Sequence, residues 1–384
     1  MKRPPLSLYI HLPWCVRKCP YCDFNSHKAG DAAPKERYIK ALLRDLAGEA
    51  DRADGRPVKT VFIGGGTPSL FTPGEIQDVL KGVRALFPLG KTAEVTMEAN
   101  PGTVECGSPA GYRDAGVNRL SIGAQSFDDE LLSKLGRIHN SADITRAVRE
   151  AQDGGFDNIN IDLMHGLPGQ TVEMALMDLR SAVELEPAHI SWYQLTLEPN
   201  TVFYARPPAN LPDNDLAFEI QDHGQALLAD HGYEQYEISA YARNGQRCQH
   251  NLNYWLFGDY LAAGAGAHGK LSSASGVHRY QKPANPLQYM IAQEDPATNV
   301  DLTDLSRSDL MLEFMLNALR LNEGFAEDLF VARTGLSMEE LEQATTEVRL
   351  KGLLERNAVG IWRPTDLGTR FLNDLLSEFV VEEA

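Results

Sequence analysis

A regular alternation of short apolar strands and longer helical segments constrains the fold of this sequence more than any other feature. The predicted strands cover residues 6–13, 58–63, 94–100, 119–125, 158–163 and 189–197. Helical segments separate them, such as 34–52 and 72–87, and Thr72 is a candidate N-cap ahead of Pro73. Strands joined through helices of this length lie parallel, with right-handed connections. The pattern predicts a closed or partly open β/α barrel whose reactive groups lie at the C-terminal ends of the strands.

Polar or glycine positions recur at one place in this pattern, at or just past the end of each predicted strand. They are Cys15, Gly65, Glu98, Gln125, Asp162 and Thr196. In a pure scaffold these positions would vary between turn residues and apolar plugs. Their recurrence predicts a shared site at one end of the barrel.

Three of the five cysteines, Cys15, Cys19 and Cys22, follow the first strand with the spacing C-x3-C-x2-C. Three thiolates so close together can face one soft metal centre. Structural zinc normally takes four ligands, and no fourth Cys or nearby His completes a tetrahedron cleanly. Three sulfurs suit a 4Fe–4S cluster that keeps one iron open. The alternatives are a zinc knuckle that borrows His11 or His27, or chance clustering of buried thiols.

Length and charge narrow the class of protein further. A chain of 384 residues fits one large domain plus a smaller one. The net charge of −17 argues against a nucleic-acid or anionic-membrane surface. There is no run of about twenty apolar residues, and the first apolar segment is too short for a signal sequence. We therefore expect neither an integral membrane segment nor a nucleic-acid partner. Because metal-binding thiols need a reducing compartment, we also expect a cytoplasmic protein.

The cysteine loop, with Tyr21 directly before its third cysteine, resembles the signature of the radical S-adenosylmethionine superfamily. In that superfamily the three cysteines hold a 4Fe–4S cluster, and its open iron binds the amino and carboxylate groups of S-adenosylmethionine. Reduction of the cluster then cleaves this cofactor to a 5′-deoxyadenosyl radical. Within the superfamily, residues 9–15 and the later motifs resemble the oxygen-independent coproporphyrinogen oxidase group, over essentially the whole chain.

The resemblance implies an S-adenosylmethionine site on the strand ends. Its candidate residues are Tyr9, Tyr21, Gly65, Gly66, Thr67, Glu98, Gln125, Arg137, Asp162, Thr196 and His268. The Gly65–Gly66–Thr67 turn would contact the amino group, Arg137 the carboxylate and Asp162 the ribose hydroxyls. Taken alone, each has a plainer interpretation, such as an ordinary glycine turn or a solvated surface arginine.

Two departures from the oxidase pattern bear on function. The oxidases carry a further cysteine two residues after the third, where this chain has Phe24. The chain instead contains the motif H-N-x-x-Y-W of HemW-type proteins, which implies a haem site of His250, Asn251, Tyr254 and Trp255. Imidazole is a common axial ligand of haem iron, and aromatic rings can pack on a porphyrin face. A lone histidine followed by aromatic residues is otherwise a common core feature.

The sequence therefore predicts a haem chaperone that carries a 4Fe–4S cluster, binds S-adenosylmethionine and haem, and transfers haem to a respiratory membrane haem protein. A homodimer is a possible assembly. The main alternative is radical decarboxylation of coproporphyrinogen III, which Phe24 disfavours. A zinc-stabilised barrel with a binding role is the third.

Three regions are expected along the chain. Residues 1–235 form a partial (β/α)6 radical-SAM barrel of the α/β class, and residues 236–300 link it through the H-N-x-x-Y-W motif to residues 301–384. We predict that residues 301–384 form a mainly helical, winged-helix-like domain. This region is too acidic to favour DNA binding. Around the link, we predict one strand over 233–242 and an irregular connection over 272–296.

Overall fold

The computed structural model describes residues 3–30, 33–102, 107–294 and 301–380, so Cys106 lies outside the described residues. The strands within these ranges are, in chain order, β1 (Leu6–Leu12), β2 (Trp14–Cys15), β3 (His27–Lys28), β4 (Val58–Gly65), β5 (Leu89–Ala99), β6 (Arg119–Gln125), β7 (Ile159–His165), β8 (His189–Gln194), β9 (Glu234–Glu237), β10 (Ala240–Ala242), β11 (Asp259–Ala263), β12 (His268–Ser272), β13 (Val277–Gln281), β14 (Thr303–Asp304), β15 (Phe325–Ala326), β16 (Leu354–Arg356) and β17 (Ile361–Pro364).

The helices are α1 (Lys35–Ala53), α2 (Pro73–Leu86), α3 (Pro109–Ala115), α4 (Asp129–Lys134), α5 (Ser141–Asp153), α6 (Val172–Glu184), α7 (Val202–Ala205), α8 (Asn214–Asp230), α9 (Gln249–Trp255), α10 (Pro286–Ala292), α11 (Arg307–Ala318), α12 (Glu327–Thr334), α13 (Met338–Leu350), α14 (Asp366–Arg370) and α15 (Leu372–Ser377). Thr72 caps α2 as predicted, because its side chain accepts a hydrogen bond from the Glu75 N–H at 3.2 Å. None of the helices in the described ranges is both long and apolar enough to cross a bilayer.

The six predicted strands are neighbours in the order β1-β4-β5-β6-β7-β8, and every adjacent pair is parallel. Helices connect them, so all six strands end at the same edge of the sheet. One large core of buried apolar side chains joins the strands to the helices that cover them. The predicted partial (β/α)6 barrel is confirmed, and the order of the described strands is that of an open sheet.

The large sheet continues beyond these six strands on both sides. At one edge, β8 pairs with the antiparallel hairpin β9–β10, where the sequence predicts a single strand over 233–242. At the other edge, β11 runs parallel to β1, and β12, β13 and β14 follow antiparallel. The prediction of an irregular connection over 272–296 is wrong, since this segment contains β13 and α10. The described part of the expected linking segment thus completes the large sheet.

A second core forms at the C-terminal end of the chain, around Phe314, Phe330 and Trp362. Helices α11, α12 and α13 pack there with the small antiparallel sheet β15-β17-β16. The ring of Phe314 meets the ring of Phe330 edge-on at 5.1 Å. This arrangement of three helices and a β ribbon agrees with the winged-helix-like prediction.

Candidate functional site

The cysteine loop is anchored at the C-terminal end of β1. Strand β2 follows β1 after Pro13 and pairs with β3, which closes the loop at its base. The His27 N–H donates to the Pro13 carbonyl and the Ala29 N–H to the Cys15 carbonyl, both at 2.7 Å. This short pairing places the three cysteines over the edge of the sheet where the parallel strands end.

Cys15, Cys19 and Cys22 line one cavity of about 310 Å³. Cys15 is buried and the other two are half-buried. Burial raises the pKa of both the Cys15 and the Cys22 thiols, and the neighbouring cysteine sulfurs raise it further. Arg137 Nη1 donates to Cys19 Sγ at 3.6 Å. The thiols are thus close enough to act on one another.

The metal-binding donors in the cavity wall nearest the loop are the three thiols. In the part of the chain that the structure describes, no group of three or more His, Cys, Asp or Glu side chains is arranged to hold one metal ion. The two histidines considered as zinc ligands bond to Asn25 instead: His11 Nε2 lies 2.8 Å from its backbone oxygen, and His27 Nε2 lies 3.1 Å from its Oδ1. Three sulfurs on one cavity wall match a 4Fe–4S cluster with an open iron.

The tips of the parallel strands form the rest of this cavity, which we call the cluster cavity. The predicted site residues in its wall are Cys15, Cys19, Tyr21, Cys22, Gly65, Gly66, Glu98, Gln125, Arg137 and Asp162. Thr67 lies beside it, where its hydroxyl accepts a hydrogen bond from Asn100 Nδ2 at 3.0 Å. Thr196 belongs to neither this cavity nor the one described below. It lies two residues past the end of β8 with an exposed side chain.

The glycine turn after β4 is packed too tightly for larger residues. Gly65 has φ +113°, and a Cβ there would lie 2.4 Å from the His11 ring; a Cβ on Gly66 would lie 2.6 Å from the Trp14 carbonyl oxygen. The Gly65 N–H donates to Glu98 Oε2 at 3.0 Å, and the next two N–H groups donate to backbone carbonyls at 2.8 Å. All three N–H groups of the turn are therefore engaged within the protein. The carbonyl oxygens of the turn are the groups that could accept hydrogen bonds from a ligand's amino group.

Two half-buried carboxyl groups, Glu98 and Asp162, lie in the cavity wall, and neither forms an ion pair with a described residue. Burial raises the pKa of Glu98 to about 7, the charge of Asp162 adds to this, and the Gly65 N–H opposes it. Burial also raises the pKa of Asp162, which accepts hydrogen bonds from Ser121 Oγ (3.0 Å) and Asn160 Nδ2 (2.7 Å). Such a pair suits a ligand that brings positive charge and hydroxyl donors.

Arg137 and Gln125 complete the polar wall. Arg137 Nη2 donates to Asn100 Oδ1 (2.7 Å) and to the Gly123 carbonyl (2.8 Å), while its buried Nε has no partner among the described residues. Gln125 has φ +73° at an irregularity in the β6–β7 pairing. Strained backbone of this kind is often found at functional sites. The Arg137 side chain lines the cavity, where its guanidinium can pair with a carboxylate ligand.

Several residues of this wall were missed by sequence reasoning. They are Asn100, Ser121, Ser191 and Tyr193. Tyr193 Oη donates to Gln125 Oε1 at 2.9 Å, and Asn160 Nδ2 links Ser121 to Asp162. The alternation of Asn160 and Asp162 along β7 was a usable signal, since residues two apart share one face of a strand.

A second cavity of about 510 Å³, which we call the aromatic cavity, adjoins the first, and Phe24, Gly65 and Glu98 belong to the walls of both. Tyr9 and His268, predicted on the S-adenosylmethionine side, face this second cavity. Tyr254 and Trp255 of the H-N-x-x-Y-W motif also line it.

The other two motif residues lie elsewhere. Asn251 is outside the wall of the aromatic cavity, and the His250 side chain is only 1% exposed. His250 Nδ1 lies 2.8 Å from Thr60 Oγ1 and Nε2 lies 3.0 Å from Tyr254 Oη. In this structure His250 is therefore behind the cavity wall.

Comparison with known proteins first defines the class. The family model of the radical SAM superfamily matches residues 9–182, and that of the HemN C-terminal domain matches residues 305–371. The solved structure of coproporphyrinogen III oxidase (HemN) from Escherichia coli, described as a radical SAM enzyme, aligns with a TM-score of 0.82. It covers 98% of this chain and 90% of that one at 23% sequence identity. The chain is a radical SAM protein with a HemN-like fold.

The curated relatives narrow this to one family. The heme chaperone HemW of Escherichia coli (strain K12) is 49% identical over 383 residues, covering 100% of both chains. The heme chaperone HemW of Haemophilus influenzae is 47% identical over 387 residues, again covering 100% of both, and that of Bacillus subtilis is 32% identical over 98% of this chain and 99% of its own. The chain belongs to the HemW family.

Proposed function

We propose that this protein is a cytoplasmic haem chaperone that binds haem and passes it to a haem protein of a respiratory membrane complex. The observation that carries the proposal is the pair of adjoining cavities. One presents three cysteines and a polar wall; the other presents the aromatic residues of the H-N-x-x-Y-W motif. The names of the HemW relatives, which are heme chaperones, support the same function.

In this proposal, Cys15, Cys19 and Cys22 hold a 4Fe–4S cluster, which would supply an electron to S-adenosylmethionine when both are bound. The cofactor lies in the cluster cavity. Arg137 would bind its carboxylate, and Glu98, with the carbonyl groups of the glycine turn, its amino group.

Haem would lie in the aromatic cavity. Its volume of about 510 Å³ is in the usual range of ligand sites, roughly 300–1,000 Å³. Phe24, 58% exposed, offers a ring on the wall that both cavities share, at the place where the oxidases carry a cysteine. An aromatic side chain there suits contact with a porphyrin face and lacks the thiol of the oxidase pattern.

Haem uptake and porphyrinogen turnover separate this proposal from the oxidase alternative. The full chain, reconstituted anaerobically with iron and sulfide, is titrated with ferric haem; a matched sample receives a reductant, S-adenosylmethionine and coproporphyrinogen III. We expect saturable haem binding and no vinyl-bearing porphyrinogen. Vinyl product without haem binding would favour the oxidase.

The pKa of Glu98, about 7, predicts pH-dependent binding of S-adenosylmethionine. The carboxylate form of Glu98 accepts hydrogen bonds from the cofactor's amino group more strongly than the protonated form does, so the affinity should rise as pH increases through 7. Below pH 7 it should fall, approaching about tenfold per pH unit. Equilibrium dialysis of the cluster-loaded protein between pH 6 and 8 measures this slope, and Glu98→Gln should flatten it. An unchanged slope in Glu98→Gln would contradict the assignment.

The same group predicts the sign of a stability effect. A carboxyl group whose folded-state pKa is raised stabilises the fold at low pH, and this contribution is lost as pH rises from about 4.5 to about 7. Glu98→Gln should therefore lose less stability than the wild type over this interval.

Asp162→Ala should weaken S-adenosylmethionine binding without loss of the cluster. Removing a carboxylate that accepts ligand hydroxyls costs about 1.5–3 kcal/mol, or roughly 10- to 100-fold in affinity. Iron content and cofactor affinity are measured on the same preparation. Asp157→Ala, which removes an exposed carboxylate just before β7, is the matched control and should change neither. Unchanged affinity in Asp162→Ala would reject its role.

A further inference from the structure

We propose that His268 is the axial ligand of haem in the aromatic cavity and that His250 of the H-N-x-x-Y-W motif is a positioning residue for Tyr254. This inference rests on the proposed haem-binding function and assigns the residues of that same site. It follows from the surroundings of the three imidazoles at or behind the cavity wall: His11, His250 and His268.

The hydrogen bonds of His250 fix both of its ring nitrogens. Thr60 Oγ1 donates to Ser7 Oγ at 2.7 Å, so it accepts from His250 Nδ1–H. Nε2 is then the acceptor for the Tyr254 hydroxyl at 3.0 Å. Burial lowers the pKa of His250 to about 3, with a further contribution from Arg119, so the ring is neutral. Its one lone pair is thus committed to Tyr254 inside the protein.

The hydrogen bond to Tyr254 makes His250 a positioning residue rather than an iron ligand. It ties the phenol of Tyr254 at the end of α9, and the Tyr254 ring meets Tyr260 edge-on at 4.6 Å. Trp255 is held by the Arg320 guanidinium, which lies 4.2 Å from its ring. Two aromatic rings are therefore fixed in the cavity wall, as a flat ligand requires.

His11 is no better placed to bind iron. Its side chain is 4% exposed, Nδ1 lies 2.9 Å from Tyr9 Oη, and Nε2 lies 2.8 Å from the Asn25 backbone oxygen. Both nitrogens are occupied, as in His250. Release of either imidazole would cost its hydrogen bonds and leave buried partners unpaired.

His268 has the properties that the other two lack. It begins β12 opposite Gln281 of β13, and its exposed ring lies in the wall of the aromatic cavity. Within the described ranges its ring nitrogens have no hydrogen-bond partner. Partial burial and the charge of Arg279 lower its pKa, which favours the neutral imidazole. A neutral, accessible imidazole beside fixed aromatic rings is the ligand that haem iron needs.

Haem titration of three variants of the full chain tests the assignment. His268→Gly should lose the absorption and EPR signature of nitrogen-ligated haem and bind haem roughly tenfold or more weakly. Added imidazole should restore the signature, which a purely structural loss would not allow. Tyr254→Phe removes the hydroxyl but keeps the ring, and it should retain ligation. His250→Gln should also retain ligation, with circular dichroism checking its fold.

The outcomes distinguish this inference from the proposed function. Haem that stays nitrogen-ligated in His268→Gly, or that loses its nitrogen ligand in a folded His250→Gln, would overturn the inference and leave the chaperone proposal standing. A wild-type protein that binds no haem would overturn both.

Discussion

Cys15→Ala protein, reconstituted anaerobically, is expected to hold well under one iron per chain where the wild type holds about four. Cys15 is the buried member of the three cysteines, fixed by the β2–β3 pair at the base of the loop. Two remaining thiolates cannot hold a cubane against oxygen and chelators. Iron and sulfide analysis with the visible absorption spectrum measures the loss.

Cys248→Ala is the matched control. Cys248 is buried like Cys15, but its Sγ lies 3.8 Å from Glu94 Oε1, and it is not in the wall of the cluster cavity. It should keep the full iron content. Both variants should remain folded, because the main core is built from strands and helices and does not depend on the cysteines. A full cluster in Cys15→Ala, or its loss in Cys248→Ala, would contradict the assignment.

Gly65→Ala should have the second largest effect, on stability and on cofactor binding together. A side chain at φ +113° is strained, and its Cβ would lie 2.4 Å from the His11 ring. Together these cost about 2–4 kcal/mol of unfolding free energy. Because Gly65 lies in the walls of both cavities, S-adenosylmethionine binding should also be lost. Denaturant midpoints and equilibrium dialysis measure the two effects.

Gly48→Ala should change stability in the opposite direction. Gly48 lies exposed within α1, and a Cβ there would meet no atom within 4 Å. Alanine in a helix interior should stabilise the protein by about 0.5–1 kcal/mol and leave cofactor binding unchanged. Equal midpoints for Gly65→Ala and Gly48→Ala would show that the turn tolerates a side chain.

The parallel strands and their tips could be predicted from sequence because each signal is local. An apolar strand followed by a helix implies a parallel neighbour, and parallel strands end at the same edge. The pattern therefore predicts that Cys15, Gly65, Glu98 and Asp162 share one site, and all four line the cluster cavity. Thr196 lies outside this cavity, because β8 already ends at Gln194.

The strands between residues 236 and 294 could not be predicted in the same way. Strand β11 is rich in small residues with little strand preference of their own, and it forms because β1, about 250 residues earlier in the chain, provides its partner. The burial of His250 likewise depends on Thr60, which lies 190 positions away. A motif shows which residues occur together, whereas only the fold shows which of them faces a ligand.

Haem transfer is the most direct test of the proposed function. The cluster-loaded protein is charged with one equivalent of haem, freed of excess, and mixed with an apo-haem protein of a respiratory complex, while absorption spectra follow both proteins. We expect the haem bands to leave this protein and appear in the acceptor, faster than from free haem at the same concentration. Haem that never binds, or that reaches the acceptor no faster than free haem, would contradict a chaperone function.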